Sequence, residues 1–249
     1  MDKYMKVPTI TEIRQNSAAD RKGYEKFLDY WANYVVKAAL FLHITPNQIS
    51  FFWVIFQFFT PFLFLLAEYK YFVLGIVLFQ LMFVVDLSDG KLFRYLNFGK
   101  KPLVPLFPEY LDRLGHFINN SMLFICLGAG IYLRFGNILY LYIGLGTALF
   151  YLGNKSISLN PSWFKNEADR TVILDVVSKT IPRSGKSKIR QFIFDFLRME
   201  HLGSLLFFGI IFDFPYYTLI AYALFNFLEF CRKLYGQAKH LINVDKTRN

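Results

Sequence analysis

Cysteine is nearly absent. Cys126 and Cys231 are the only two, and both lie in apolar runs, which excludes a disulfide-stapled scaffold. Charge is sparse as well: 18% of residues are charged, against about 25% in an ordinary soluble domain. Acids are the scarcer sign, 18 against 28 Lys and Arg, leaving a net charge of +10. The low hydrophobicity of a disordered chain is missing, because 55% of residues are hydrophobic. There is no internal repeat and no low-complexity segment. The N-terminal stretch lacks the charged start, short apolar core and small-residue cleavage site of a secretory signal. Present in excess are phenylalanine, 30 of 249 residues, and long uncharged runs. Such runs do not make a phosphate-binding surface, so nucleic acid is not the implied partner. The basic excess speaks instead about loop orientation at a membrane.

A helix needs about 20 apolar residues to cross the hydrocarbon layer. Asn47 to Ala67 carries no charge, nor does Tyr71 to Val85. Phe117 to Leu133 and Phe135 to Asn154 are two more such runs. The shorter runs Leu202 to Phe212 and Phe214 to Leu228 flank Phe212-Asp213-Phe214-Pro215. That tetrapeptide reads as a turn, since proline suits turns and helix starts. The expected fold is therefore all-α and integral to a membrane, with six transmembrane helices preceded by an amphipathic interfacial helix. Lys and Arg test the topology, because cytoplasmic loops carry their excess. With the N-terminus inside, the four inside segments hold 7, 5, 9 and 5 basic residues, 26 of the 28. The outside turns hold only Lys70 and Arg134. Both termini are thus expected in the cytoplasm. A soluble bundle of buried helices has no reason to sort its charges this way.

Residues 1–45 form the expected cytoplasmic N-terminus. Within it, Asp20 to Leu42 is amphipathic: Tyr24, Phe27, Leu28, Trp31, Tyr34, Val35 and Ala38 fall at helical spacing. This pattern suits a helix lying in the inner interface. Residues 46–235 hold the spans, with a polar cytoplasmic loop at about 155–188 and a short helix near Asp169 to Lys179. Residues 236–249 are a cytoplasmic tail.

Ionisable groups inside a membrane helix are costly and mark function by default. Asp86, Asp89, Gly90, Phe93 and Arg94 recur at spacings of three and four, and so share one helix face. Glu109, Asp112 and His116 do the same at the start of the third span. Two helices joined by a short link lie antiparallel, so the two stripes can meet. Asp86 stands 15 residues past Tyr71, roughly 23 Å along the helix at 1.5 Å per residue, near the inner interface. Carboxylates that close repel unless a cation neutralises them, and all-oxygen ligands suit Mg2+ or Mn2+. Gly90 lets a ligand approach the backbone. Arg94 offers a planar fork for phosphate. Together these are parts of a metal-assisted phosphoryl-transfer site. The structural alternative is that Asp86 or Asp89 pairs with Arg94 or Arg113 and merely joins two helices.

At these residues the chain resembles the CDP-alcohol phosphotransferase (CDP-alcohol phosphatidyltransferase) family, whose motif is D-x2-D-G-x2-A-R-x8-G-x3-D-x3-D. Asp86, Asp89, Gly90 and Arg94 match its first half, and Asp112 fits the third acid. Thr45-Pro46-Asn47-Gln48-Ile49-Ser50 is similar to a T-P-N-x-[IVL]-[ST] segment of many members. The departures are specific. Phe93 replaces a small residue, Pro108 stands where the second glycine is expected, and the chain is five residues longer between Arg94 and Asp112. His116 occupies the fourth acid position.

The resemblance implies a two-metal site of Mg2+ or Mn2+ on Asp86, Asp89 and Asp112, with His116 as general base by position. It implies attack of an acceptor alcohol on the β-phosphorus of a CDP-alcohol, releasing CMP, with one of the two substrates a lipid. Asn47 and Ser50 match positions of the nucleotide pocket, with Gly90 and Arg94 toward the phosphates. Members are often homodimers. Histidine has an ordinary pKa of about 6.5 and can take a hydroxyl proton. It suits Mn2+ better than Mg2+, and Glu109 is a possible extra metal ligand that restores an oxygen. Asn47 could equally cap the first span. Glu200 and His201 sit low in the fifth span, toward the acceptor or at the interface, and Arg183, Lys186, Lys188 and Arg190 suit anionic headgroups, a phosphorylated acceptor or a purely topogenic role. His43 and His240 read as surface residues. Two other readings stay open: a non-catalytic membrane protein of the same fold, and an intramembrane prenyltransferase. The latter needs a second Asp-rich motif, whereas Asp169, Asp175 and Asp195 are scattered.

Overall fold

The computed structural model describes residues 8–17, 24–99, 106–158 and 203–248. Side chains at 24–25, 106–112, 157–158, 203–204 and 239–248 lie outside the described ones. Among the described residues all regular structure is helical. In chain order the helices are α1 (Ile10–Asn16), α2 (Tyr24–Phe41), α3 (Pro46–Phe59), a 3-10 segment (Thr60–Leu66) and α4 (Tyr69–Leu96). Then come α5 (Leu106–Phe135), α6 (Leu139–Ser158), α7 (Gly203–Ile211) and α8 (Pro215–Arg248).

Among the described residues three stretches are long and apolar enough to cross a membrane: Pro46–Leu66, Tyr69–Leu96 and Arg113–Phe135. They correspond to the first three expected spans. The other three correspond to α6, α7 and the start of α8. Helix α6 has 20 residues but is diluted by Gly144, Gly146 and Gly153 and by the polar run Asn154-Lys155-Ser156 near its end. The described part of α7 is nine residues, too short to span alone. Helix α8 continues unbroken to Arg248, through all but the last residue of the expected tail. The expected helix at Asp169 to Lys179, the basic stretch Arg183 to Arg190, Glu200 and His201 lie outside the described residues.

The first expected span is not one α-helix. Thr45 opens α3 with a capping box, its hydroxyl meeting the Gln48 N–H while the Gln48 side chain returns to the Thr45 N–H. The α-helix then stops at Phe59. Pro61 brings no N–H, and its ring crowds the carbonyl four residues back. The chain tightens into the 3-10 segment and turns away at Ala67, with φ of 57°.

Helix α2 also differs in detail from its pattern. Its packed face is built of Leu28, Ala32, Val36, Ala39 and Leu40. The aromatic residues Phe27, Trp31 and Tyr34 point outward. The alanines let α2 pack on α4 and leave the large rings on the exposed side.

The largest core joins α4, α5, α6, α7 and α8 through Phe72, Ile76, Phe79, Phe124, Leu127, Tyr151, Leu206 and Tyr222. Helices α5 and α6 cross backbone to backbone: a Cβ on Gly128 would lie 2.9 Å from Gly144 Cα and 2.7 Å from the Tyr140 carbonyl oxygen. At the far end from the acids, Arg134 holds Asp213 with two bonds of 2.5 and 2.8 Å. Asp213 sits at φ 60° in the expected turn before Pro215. The Tyr69 hydroxyl donates to the Ile211 carbonyl across the same end at 2.6 Å.

Candidate active site

Helix α4 is continuous through the acidic segment, so Asp86, Asp89 and Gly90 do lie on one side of one helix. The expected meeting of the stripes occurs through His116. Its Nε2 lies 3.6 Å from Asp86 Oδ2, with side chains 30% and 13% exposed. Helix α3 packs against both α4 and α5 and reaches the site with Ser50 and Trp53. The Ser50 hydroxyl donates to Asp89 Oδ2 at 2.5 Å, and Ser50 is buried. Asp89 Oδ1 accepts from the Gly90 N–H. The His116 ring leans on Trp53 at 5.1 Å between centroids, and Trp53 is wholly buried. Gly115 makes this seat possible, because a Cβ there would lie 2.6 Å from Val54 Cγ2 and 2.9 Å from Trp53 Cη2.

The other expected residues fall as follows. Arg94 Nε donates to the Ser17 carbonyl at 3.2 Å, tying α4 to the end of α1. A Cβ on Gly90 would touch Arg94 Nη1 at 3.4 Å, so this arginine also lies beside the glycine. Asn47 is exposed in the first turn of α3. It is not the cap; Thr45 is, because its side chain, not that of Asn47, meets the free N–H of the third helical residue. His43 is exposed, as expected. Asp112 and Glu109 belong to α5, four and seven residues before His116, and their side chains lie outside the described residues. Among the described residues no group of three or more His, Cys, Asp and Glu comes together.

The largest surprise lies on the opposite side of α4. Lys91 is 1% exposed, and its Nζ donates to Asp29 Oδ2 of α2 at 2.6 Å. Ser88 Oγ, one turn earlier, bonds the Val84 carbonyl at 2.6 Å and lies 3.4 Å from the Ala32 carbonyl of α2. The sequence carries a signal for this pair: Asp29 falls on the face of α2 that also holds Leu28 and Ala32, where an acid needs a cation. Trp53 carried no such signal, being one aromatic residue in a run of them.

Where α3, α4 and α5 meet, Asp86 of α4 thus lies beside His116 of α5, and Asp89, one turn on along α4, is held by Ser50 of α3. The set offers hard oxygen donors, a proton acceptor and a hydroxyl that orients one acid. No protein-family model matches the chain, and no curated protein matches it significantly.

Proposed function

We propose that the chain is a membrane-embedded CDP-alcohol phosphotransferase with six spans, its termini and site on the cytoplasmic side. It moves a substituted phosphate from a CDP-alcohol to an acceptor alcohol, one of the two a lipid, and releases CMP. The observation that carries this reading is the approach of His116 to Asp86 beside Asp89. The donor chemistry fits Mg2+ or Mn2+: carboxylate oxygens are hard ligands, and imidazole is accepted by Mn2+. Asp86, Asp89 and Asp112 would hold the ions, with Glu109 as a further oxygen donor. A bound divalent pair supplies neutralisation of the diphosphate charge.

The chain's own groups do the rest. The acceptor hydroxyl loses its proton to the His116 imidazole. Its oxygen bonds the β-phosphorus, and the bond to the bridging oxygen breaks, so CMP departs with that electron pair. Asp86, at 3.6 Å, orients the imidazole and favours the imidazolium that forms. Trp53 fixes the ring plane from the other side. Ser50 keeps Asp89 in one rotamer.

The test is CMP release by purified protein from a panel of CDP-alcohols, with Mg2+ or Mn2+. Release that vanishes in Asp86→Asn and Asp89→Asn supports the reading. Cytidine-nucleotide binding with no CMP from any donor would leave the non-catalytic alternative. Absence of both points away from the family.

A further inference from the structure

Helix α4 turns 100° per residue, so its acid end has two working sides. Asp86 and Asp89 face His116 and Ser50. Ser88 and Lys91 face α2 on the opposite side. The contact on that side is otherwise apolar: Leu28, Ala32 and Val84 form one buried cluster, and Val36, Ala39, Leu40, Ile13, Ile49 and Leu92 form the next. Small apolar surfaces resist separation but discriminate weakly between angular settings, because burial is non-directional. A buried ammonium is different. It is strongly destabilising without its partner and tolerates only the register that supplies one.

Magnitude makes the angle matter. Side-chain ends sit about 5–6 Å from a helix axis, so a 20° rotation of α4 displaces a carboxylate by about 2 Å. Metal–ligand distances tolerate only about 0.2 Å. An angular slip too small to disturb the apolar packing is therefore enough to dismantle an ion site.

We infer that Lys91 is a positioning residue: its ion pair with Asp29 sets the rotation of α4 and thereby aims Asp86 and Asp89 at His116 and Ser50. The inference rests on the metal-site reading above. It makes α2 part of the catalytic apparatus, not only a membrane-surface helix.

The experiment uses the full chain in detergent, stripped with a chelator. The Mn2+ dissociation constant is measured by titration calorimetry, alongside thermal unfolding. Lys91→Met and Asp29→Asn are expected to weaken Mn2+ binding about tenfold or more, the scale seen when an orienting partner of a metal ligand is removed. Lys91→Arg, which keeps the charge, stays within about threefold of the parent on the same scale. Asp29→Glu, which keeps charge and fold but lengthens the arm by a methylene, falls between them. Arg134→Ala breaks the clamp at the far end and serves as the destabilised control, with melting lowered and Mn2+ affinity unchanged. Parent-like affinity in Lys91→Met, Asp29→Asn and Asp29→Glu overturns the inference. So does an equal loss in Arg134→Ala, which would mean that any destabilisation suffices. A parent chain that binds no Mn2+ sinks the metal-site reading and this inference with it.

Discussion

The crossing of α5 and α6 permits a sharp test of the fold. Replacing Gly128 by Ala adds a single methyl group. It would stand 2.9 Å from Gly144 Cα and 2.7 Å from the Tyr140 carbonyl oxygen. Carbon atoms in contact prefer about 3.5–4.0 Å, so the helices must part by more than half an ångström. Both obstructing atoms are backbone, and no side chain can swing aside. Overpacking of this kind costs about 1–3 kcal/mol. Helix propensity acts the other way, Ala being favoured over Gly by about 1 kcal/mol. The net expectation is a loss of up to about 2 kcal/mol from these two opposed terms. Gly146, on the partner helix α6, supplies the control, because a Cβ there meets nothing within 4 Å. Gly146→Ala should be neutral or stabilising. Thermal unfolding in one detergent, read by circular dichroism, compares the two directly. A Gly128→Ala protein as stable as Gly146→Ala would show that the helices do not cross where described.

Four further outcomes are expected. His116→Ala should lower CMP release by about 100-fold or more, the usual scale for a lost general base, and His116→Asp should retain more; a parent rate in the alanine variant removes His116 from the chemistry. Ser50→Ala leaves Asp89 Oδ2 without its 2.5 Å hydroxyl donor, and should raise the Mn2+ dissociation constant without unfolding the chain. Tyr151→Phe deprives the buried Asn120 amide of the hydroxyl it reaches at 2.9 Å, and should cost about 1–3 kcal/mol in chemical denaturation. Burial holds the Lys233 ammonium below the ordinary lysine range, against the pull of Glu229. The unfolded chain then binds the extra proton, so parent stability should climb as pH rises from the depressed value toward 10.5, and Lys233→Gln should flatten that climb.

How much of this was legible in the sequence depends on the range of the interaction. The acid stripe of α4 follows from spacings of three and four, and the turn at Asp213 from its proline. The break after Phe59 was equally local, for Pro61 stands in the middle of the run. The Thr45 cap was local too, since Gln48 completes a capping box, yet Asn47 drew attention by its place in a motif. The packed side of α2 was harder, because large aromatic residues dominate any reading of amphipathicity while alanines do the packing. The Lys91–Asp29 pair joins positions 62 apart and needs the tertiary arrangement. The seat of His116 on Trp53 is likewise long-range, decided by the missing side chain of Gly115. Composition detects apolar length, and among the described residues three helices have enough of it to span unaided.

Helix α4 is also a ruler. Its 28 residues measure about 42 Å at 1.5 Å per residue, some 12 Å more than a typical hydrocarbon layer of about 30 Å. The surplus must emerge, and Asp86 to Arg94 occupy the last third of the rod. In a thicker bilayer that surplus shrinks, and the acids sink toward the lipid tails unless the helix straightens or the bilayer thins around it. Reconstitution in lipids of increasing chain length should therefore dim the site's affinity for cations well before the protein unfolds.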